Sequence, residues 1–153
     1  MKSQFKDLCP FLLFPLAVGV FAALLTIGSM EIFADLCLPP LAPPGWVFPV
    51  VWTFLYLLMG FASYLVAISG KCQNQAFFFY LLQLFFNFMW PIWFFNCERY
   101  LFSFFWLIAL WLLILATIRS FAAVSATAAN LLVPYLFWVT FAGYLNLGVY
   151  FLN

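Results

Sequence analysis

Along this chain apolar residues run almost unbroken over five stretches, and the polar positions fall between them: Leu8 to Met30, Gly45 to Ser69, Ala76 to Asn96, Leu101 to Ile118 and Asn130 to Phe151. A hydrocarbon core takes about 20 residues of helix to cross, so each stretch predicts a transmembrane helix. The charges lie outside these cores and mark the loops: Lys2, Lys6 and Asp7, then Glu31 and Asp35, then Lys71, then Glu98 and Arg99, then Arg119. The predicted fold is all-α, a single integral membrane bundle of five transmembrane helices over residues 1–153.

Between the first two helices, residues 31–44 carry Pro39, Pro40, Pro43 and Pro44. Missing N–H donors and restricted backbones disfavour helix there, which predicts a long, semi-rigid loop. The other connections are short and predict antiparallel neighbours. Pro15, Pro49, Pro91 and Pro134 fall inside apolar runs and are expected to be packing kinks that membrane helices tolerate. A signal peptide competes for the first run because Lys2 and Lys6 precede it, but the run is too long for such a segment and lacks a clear small-residue cleavage site. An uncleaved helix is the expectation.

Composition removes a soluble alternative. The chain is 69% hydrophobic and 6% charged, against about a quarter charged in soluble domains; five basic and four acidic residues cannot clothe a water-facing surface. A net charge of +1 gives no footprint for nucleic acid. Lys2, Lys6, Lys71 and Arg119 fall on one side of the bundle and only Arg99 on the other, so the retention of positive residues in the cytoplasm predicts an N-terminus inside and a C-terminus on the opposite side.

Histidine is absent, which removes the commonest general base, metal ligand and haem ligand. No acidic residue or lysine lies within a span, so a carboxylate relay and a Schiff base are both excluded. Cys9, Cys37, Cys72 and Cys97 form no C-x-x-C pair, and neither a metal nor another cofactor is expected. Cys37 and Cys97 share one predicted side, where a disulfide, free thiols and acylation are the alternatives.

The chemistry that remains lies in amides and rings within the membrane. Gln83, Asn87, Trp90 and Phe94 are spaced by four, three and four, which sets them on one face of the third helix. Such a face points into the bundle, where it either bonds another helix or lines a cavity. Tyr135, Trp138, Ala142 and Asn146 form a similar stripe on the fifth helix, and Phe48, Trp52, Tyr56 and Met59 another on the second. Trp46 reads as an interfacial anchor. Aromatics make up 24% of the chain, so abundance alone marks no site; three convergent aromatic faces with a few amides describe a binding site for a large, flat, apolar ligand. The opposing reading is a scaffold or assembly subunit in which neighbouring side chains fill those faces. A channel or transporter finds little support without charged residues or paired broken helices in the membrane.

Four motifs occur in the order seen in one family: Pro43-Pro44-Gly45-Trp46, Trp52-Thr53-x-x-Tyr56, Gln83-x-x-x-Asn87-x-x-Trp90 and Leu132-Val133-Pro134-Tyr135-x-x-Trp138. The chain thus resembles the TspO/MBR family of translocator and peripheral-type benzodiazepine receptor proteins, from about residue 30 to its end. The resemblance implies binding of porphyrins, sterols or isoquinoline- and benzodiazepine-type ligands within the bundle, under the first loop. By motif position it places ligand contacts at Trp52, Asn87, Trp138 and Ala142, with Tyr56, Gln83, Trp90 and Tyr135 as secondary contacts; Phe48 and Asn146 join them from their helix faces. Some members degrade protoporphyrin in light using two tryptophans, equivalent to Trp52 and Trp138, and the sequence leaves that role open beside simple stacking. A homodimer is implied by the resemblance alone. Gly19 and Ala23, a small-residue pair on the first helix, suit either a dimer contact or packing within one chain.

The sequence departs from the family at Ile32-Phe33 and Leu38-Pro39-Pro40-Leu41, where Trp-Tyr and Lys-Pro-x-Trp are usual. The loop's ligand contacts are therefore not carried over. Tyr150 is followed by no basic residue, so no cholesterol specificity is predicted.

Overall fold

The computed structural model describes residues 2–29, 35–71 and 73–153, with side chains from residue 7 onward. Helix α1 spans Lys2–Thr26 and ends in a 3₁₀ turn, Ile27–Ser29. It is followed by α2 (Val47–Ala67), α3 (Asn74–Pro91), which runs into a π turn at Ile92–Asn96, α4 (Tyr100–Ala122), the short α5 (Ala126–Leu131) and α6 (Val133–Leu152). No strand occurs among the described residues. Among the described residues five spans are long and apolar enough to cross a membrane, α5 and α6 together making the fifth. Helices suit that solvent because each satisfies its own backbone polar groups where no water can.

Several boundaries differ from the sequence reading. Helix α1 reaches back through Lys6 to Lys2, and α4 continues past Ile118 to Ala122. Hydropathy marks the hydrocarbon segment, whereas a helix can extend into the headgroup region; Arg119 in the last turn of α4 also complements the helix dipole. Of the prolines read as kinks, only Pro15 sits well inside a helix, joined there by Pro10. Pro49 lies in the first turn of α2 and Pro134 at the start of α6, where the missing N–H costs no helical bond. Pro91 ends α3 and opens the π turn. The fifth span begins at Ala126, four residues earlier than expected, and breaks at Leu132. Ser125 caps α5 by accepting from the Ala128 N–H at 3.3 Å. Met30, Glu31, Ile32, Phe33 and Cys72 lie outside the described residues.

The helices form a ring. α1 packs on α2 and α3, α3 on α4, and α4 on α6. At one end α5 bridges α4 and α2, whereas the backbones of α2 and α6 stand apart. Leu55, Met59, Ala62, Leu107, Leu110, Ile114 and Val139 fill the centre. α1 is the least buried span, with Leu13, Phe14, Val20, Phe21, Leu24 and Leu25 exposed as a surface suited to lipid. It nevertheless sits very near α2, because a Cβ at Gly60 would lie 2.5 Å from the Phe11 carbonyl oxygen. Gly19 serves the same contact: a Cβ there would overlap the Tyr56 ring. Of the two uses foreseen for Gly19, the structure shows packing within the chain.

From residue 35 onward the first loop runs as a strap along α6, opposite in direction. Asn153 brackets Cys37, its Oδ1 accepting from the Cys37 N–H at 2.9 Å and its Nδ2 donating to the Cys37 carbonyl at 3.0 Å. Pro39 lies against Gly148, and the Tyr144 hydroxyl donates to the Pro40 carbonyl at 2.7 Å. Pro39 to Ala42 form a turn closed by the Ala42 N–H to the Pro39 carbonyl at 3.2 Å. Cys37 and Cys97 are free and exposed, so of the alternatives for this pair the disulfide is absent.

Candidate functional site

The three predicted faces meet inside the ring. From α2, Phe48 and Trp52 are half-buried and Tyr56 is buried; from α3, Gln83 and Asn87 are buried and Trp90 half-buried; from α6, Tyr135, Ala142 and Asn146 are buried and Trp138 is half-buried. Rings bridge α2 and α6: Phe48 meets Trp138 edge-on with centroids 6.0 Å apart, and Trp52, which lies tilted against Tyr56 of its own helix at 5.7 Å, meets Tyr135 edge-on at 6.1 Å. Such edge contacts suit the charge distribution of aromatic faces and rims.

Beneath these rings runs a directed relay. The Tyr56 hydroxyl donates to Asn87 Oδ1 at 2.5 Å, Asn87 Nδ2 donates to the Tyr135 oxygen at 2.9 Å, and the Tyr135 hydroxyl donates to Gln83 Oε1 at 2.9 Å. Reversing both amides would strand the Tyr56 hydroxyl proton as well as a Gln83 oxygen, so this direction leaves fewer polar atoms unmet. The relay ends at Gln83 Nε2, which is buried without an acceptor, as is the Trp138 indole N–H. A buried donor left unpaired costs about 1–3 kcal/mol, which makes both atoms candidates for a bound acceptor.

A second cluster lies toward the π turn. Asn146 Oδ1 accepts from Trp90 Nε1 at 3.1 Å and from Ser103 Oγ at 3.0 Å, while its Nδ2 donates to the Tyr100 carbonyl at 2.7 Å. Trp90 and Asn146 therefore tie α3, α4 and α6 together and are both engaged. Phe94 is buried, with its ring against Trp90 and Tyr100. Sequence reading missed Ser103; its signal was a hydroxyl near the start of an apolar run, which becomes informative only once α6 is set beside it. Trp46 is 68% exposed, in keeping with an interfacial position.

The described opening nearest the site is a groove of about 390 Å³ between α2 and α6, lined by Val51, Phe54 and Leu55 on one side and Pro134, Phe137, Trp138 and Phe141 on the other. A second, of about 260 Å³, runs between α4 and α6 past Trp111 and Gly143. Both are surface features with almost wholly apolar walls. No group of metal-binding side chains occurs among the described residues.

Five apolar spans around a polar, aromatic interior define an integral, multi-pass membrane protein. The TspO/MBR family profile matches residues 11–152, and the chain belongs to that family. It is 38% identical to a tryptophan-rich sensory protein of Cereibacter sphaeroides, over 96% of this chain and 93% of that one. It is 39% identical to a tryptophan-rich protein TspO of Chlorobaculum tepidum, over 79% and 78%, and 35% identical to the translocator protein of Bos taurus, over 89% and 83%.

Proposed function

We propose that this protein binds porphyrin-type tetrapyrroles, and other large apolar ring compounds of sterol or isoquinoline and benzodiazepine type, between α2, α3 and α6, in order to sense, transport or dispose of them. The carrying observation is the pairing of Phe48 with Trp138 and of Trp52 with Tyr135 across the α2–α6 seam, beside two buried N–H donors that lack acceptors. Trp52 and Trp138 would stack on the ligand's rings, with Phe48, Tyr56, Tyr135 and Ala142 shaping the wall. Gln83 and the Trp138 indole would donate to its acceptor groups, Asn87 would orient the relay, and Trp90 and Asn146 would hold the third wall. The relatives' names, sensory protein and translocator protein, agree with a recognition role. The N-terminus is assigned to the cytoplasm by the distribution of Lys and Arg.

A protoporphyrin titration of the detergent-solubilised protein in the dark, followed by tryptophan quenching, tests this reading. Saturable binding is expected, weakened about five- to tenfold by Trp138→Phe, the value of one lost hydrogen bond. Trp52→Phe should weaken it as well. Repetition under illumination distinguishes a binder from a photochemical enzyme through the appearance of a tryptophan-dependent product. One observation favours the rival scaffold: Asn87 and Tyr135 are already engaged by neighbouring side chains. That reading predicts no saturable binding by folded protein.

A further inference from the structure

We infer that apolar ring ligands reach the site sideways from the bilayer, through the groove between α2 and α6, with Phe48 and Trp138 as the gate. This rests on the proposed function and concerns the route rather than the site. The two ends of the seam between these helices differ from its middle. At the loop end the strap runs along α6, from Cys37 at Asn153 to Pro39 at Gly148 and Pro40 at Tyr144. Three hydrogen bonds and a packed proline hold it there. At the opposite end α5, which leads into α6, packs against both α2 and α4.

Between these two contacts the helix backbones stand apart, and the groove of about 390 Å³ opens there. Its outer rim is Phe54 and Phe137, 56% and 71% exposed, on a surface that lipid covers. Its inner wall is Trp138, which on its other side meets Phe48. The same indole therefore belongs to the groove and to the site. The groove's walls are almost wholly apolar, so a flat apolar molecule already dissolved in the acyl chains enters it without shedding a hydration shell. Rotation of the Phe48 and Trp138 side chains about their own bonds joins groove and interior without displacing the strap, which is held to α6.

A plug in the route raises one barrier that the ligand crosses in both directions. Binding kinetics of protoporphyrin dimethyl ester, whose carboxylates are capped, in phosphatidylcholine nanodiscs, measured by stopped-flow tryptophan quenching, therefore provide the test. Val51→Trp, which fills the groove, should slow association and dissociation alike, on the order of tenfold, with Kd unchanged. Phe137→Ala, on the lipid-exposed rim, should speed both and guards against a folding defect in the first variant. Loosening the strap with Tyr144→Phe and Asn153→Ala should leave both rates as they are. Rates that rise in the strap variant and ignore both groove variants would overturn lateral access while leaving the binding site intact. Absence of saturable binding in the wild type would instead remove the proposed function, and the gate with it.

Discussion

The Tyr56–Asn87–Tyr135–Gln83 relay makes a prediction in which a single substitution changes sign. Asn87→Leu removes two interhelical hydrogen bonds, one from Tyr56 and one to Tyr135. Bonds of this kind in membrane proteins are worth about 0.6 kcal/mol each on average. The substitution also strands the buried Tyr56 hydroxyl, at about 1–3 kcal/mol. Tyr135 keeps its acceptor, Gln83 Oε1, so no further orphan arises there. The total loss is about 2–4 kcal/mol by the sum of these contributions. Tyr56→Phe in the wild type should destabilise by about 1 kcal/mol, because it takes the donor from Asn87 Oδ1. In the Asn87→Leu background the same change removes an orphan and should stabilise by about 1 kcal/mol or more. Reversible unfolding in mixed micelles, followed by tryptophan fluorescence across this double-mutant cycle, reads both effects. An equal cost for Tyr56→Phe in both backgrounds would refute the relay.

Other outcomes follow from close contacts and exposed groups. Gly60→Leu should destabilise by about 1–3 kcal/mol, because backbone atoms of Phe11 and Leu12 stand where its Cβ would go; Gly143→Ala, whose Cβ would meet only Phe104 at 4.0 Å, should melt within a degree or two of the wild type. Leu41 occupies a left-handed conformation at φ 69° in the strap's turn, so Leu41→Gly should raise stability by about 1 kcal/mol in the same unfolding assay. With the assigned orientation, a membrane-impermeant maleimide applied to intact cells should label Cys37 and Cys97 and spare Cys9; labelling of Cys9 with Cys37 and Cys97 spared would invert the assignment. Asn153→Ala should increase proteolytic cleavage of the strap near Cys37 while leaving the helix content measured by circular dichroism unchanged.

How much was legible in the sequence differs from element to element. The five spans and their membrane setting followed from hydropathy, because bilayer thickness is an external ruler that any apolar run of sufficient length must meet. Helical spacing likewise set Gln83 with Asn87 and Tyr135 with Trp138 on shared, inward faces, since a carboxamide facing lipid has nothing to bond. The family was carried by four spaced motifs. Periodicity, however, gives a face and no partner. That Asn87 is held between Tyr56 and Tyr135, that Asn146 is tied to Trp90 and Ser103, and that Gly19 accommodates Tyr56 depend on which helices are neighbours. The break at Leu132 and the extension of α1 to Lys2 were hidden for another reason: hydropathy is blind to backbone geometry and to helix that continues into headgroups. Composition alone could not show that the proline-rich loop lies along α6, or that α2 and α6 part to leave a groove beside Trp138. Those contacts join residues about a hundred positions apart in the chain; local preference sets each element, and only packing of the whole bundle decides which surfaces meet.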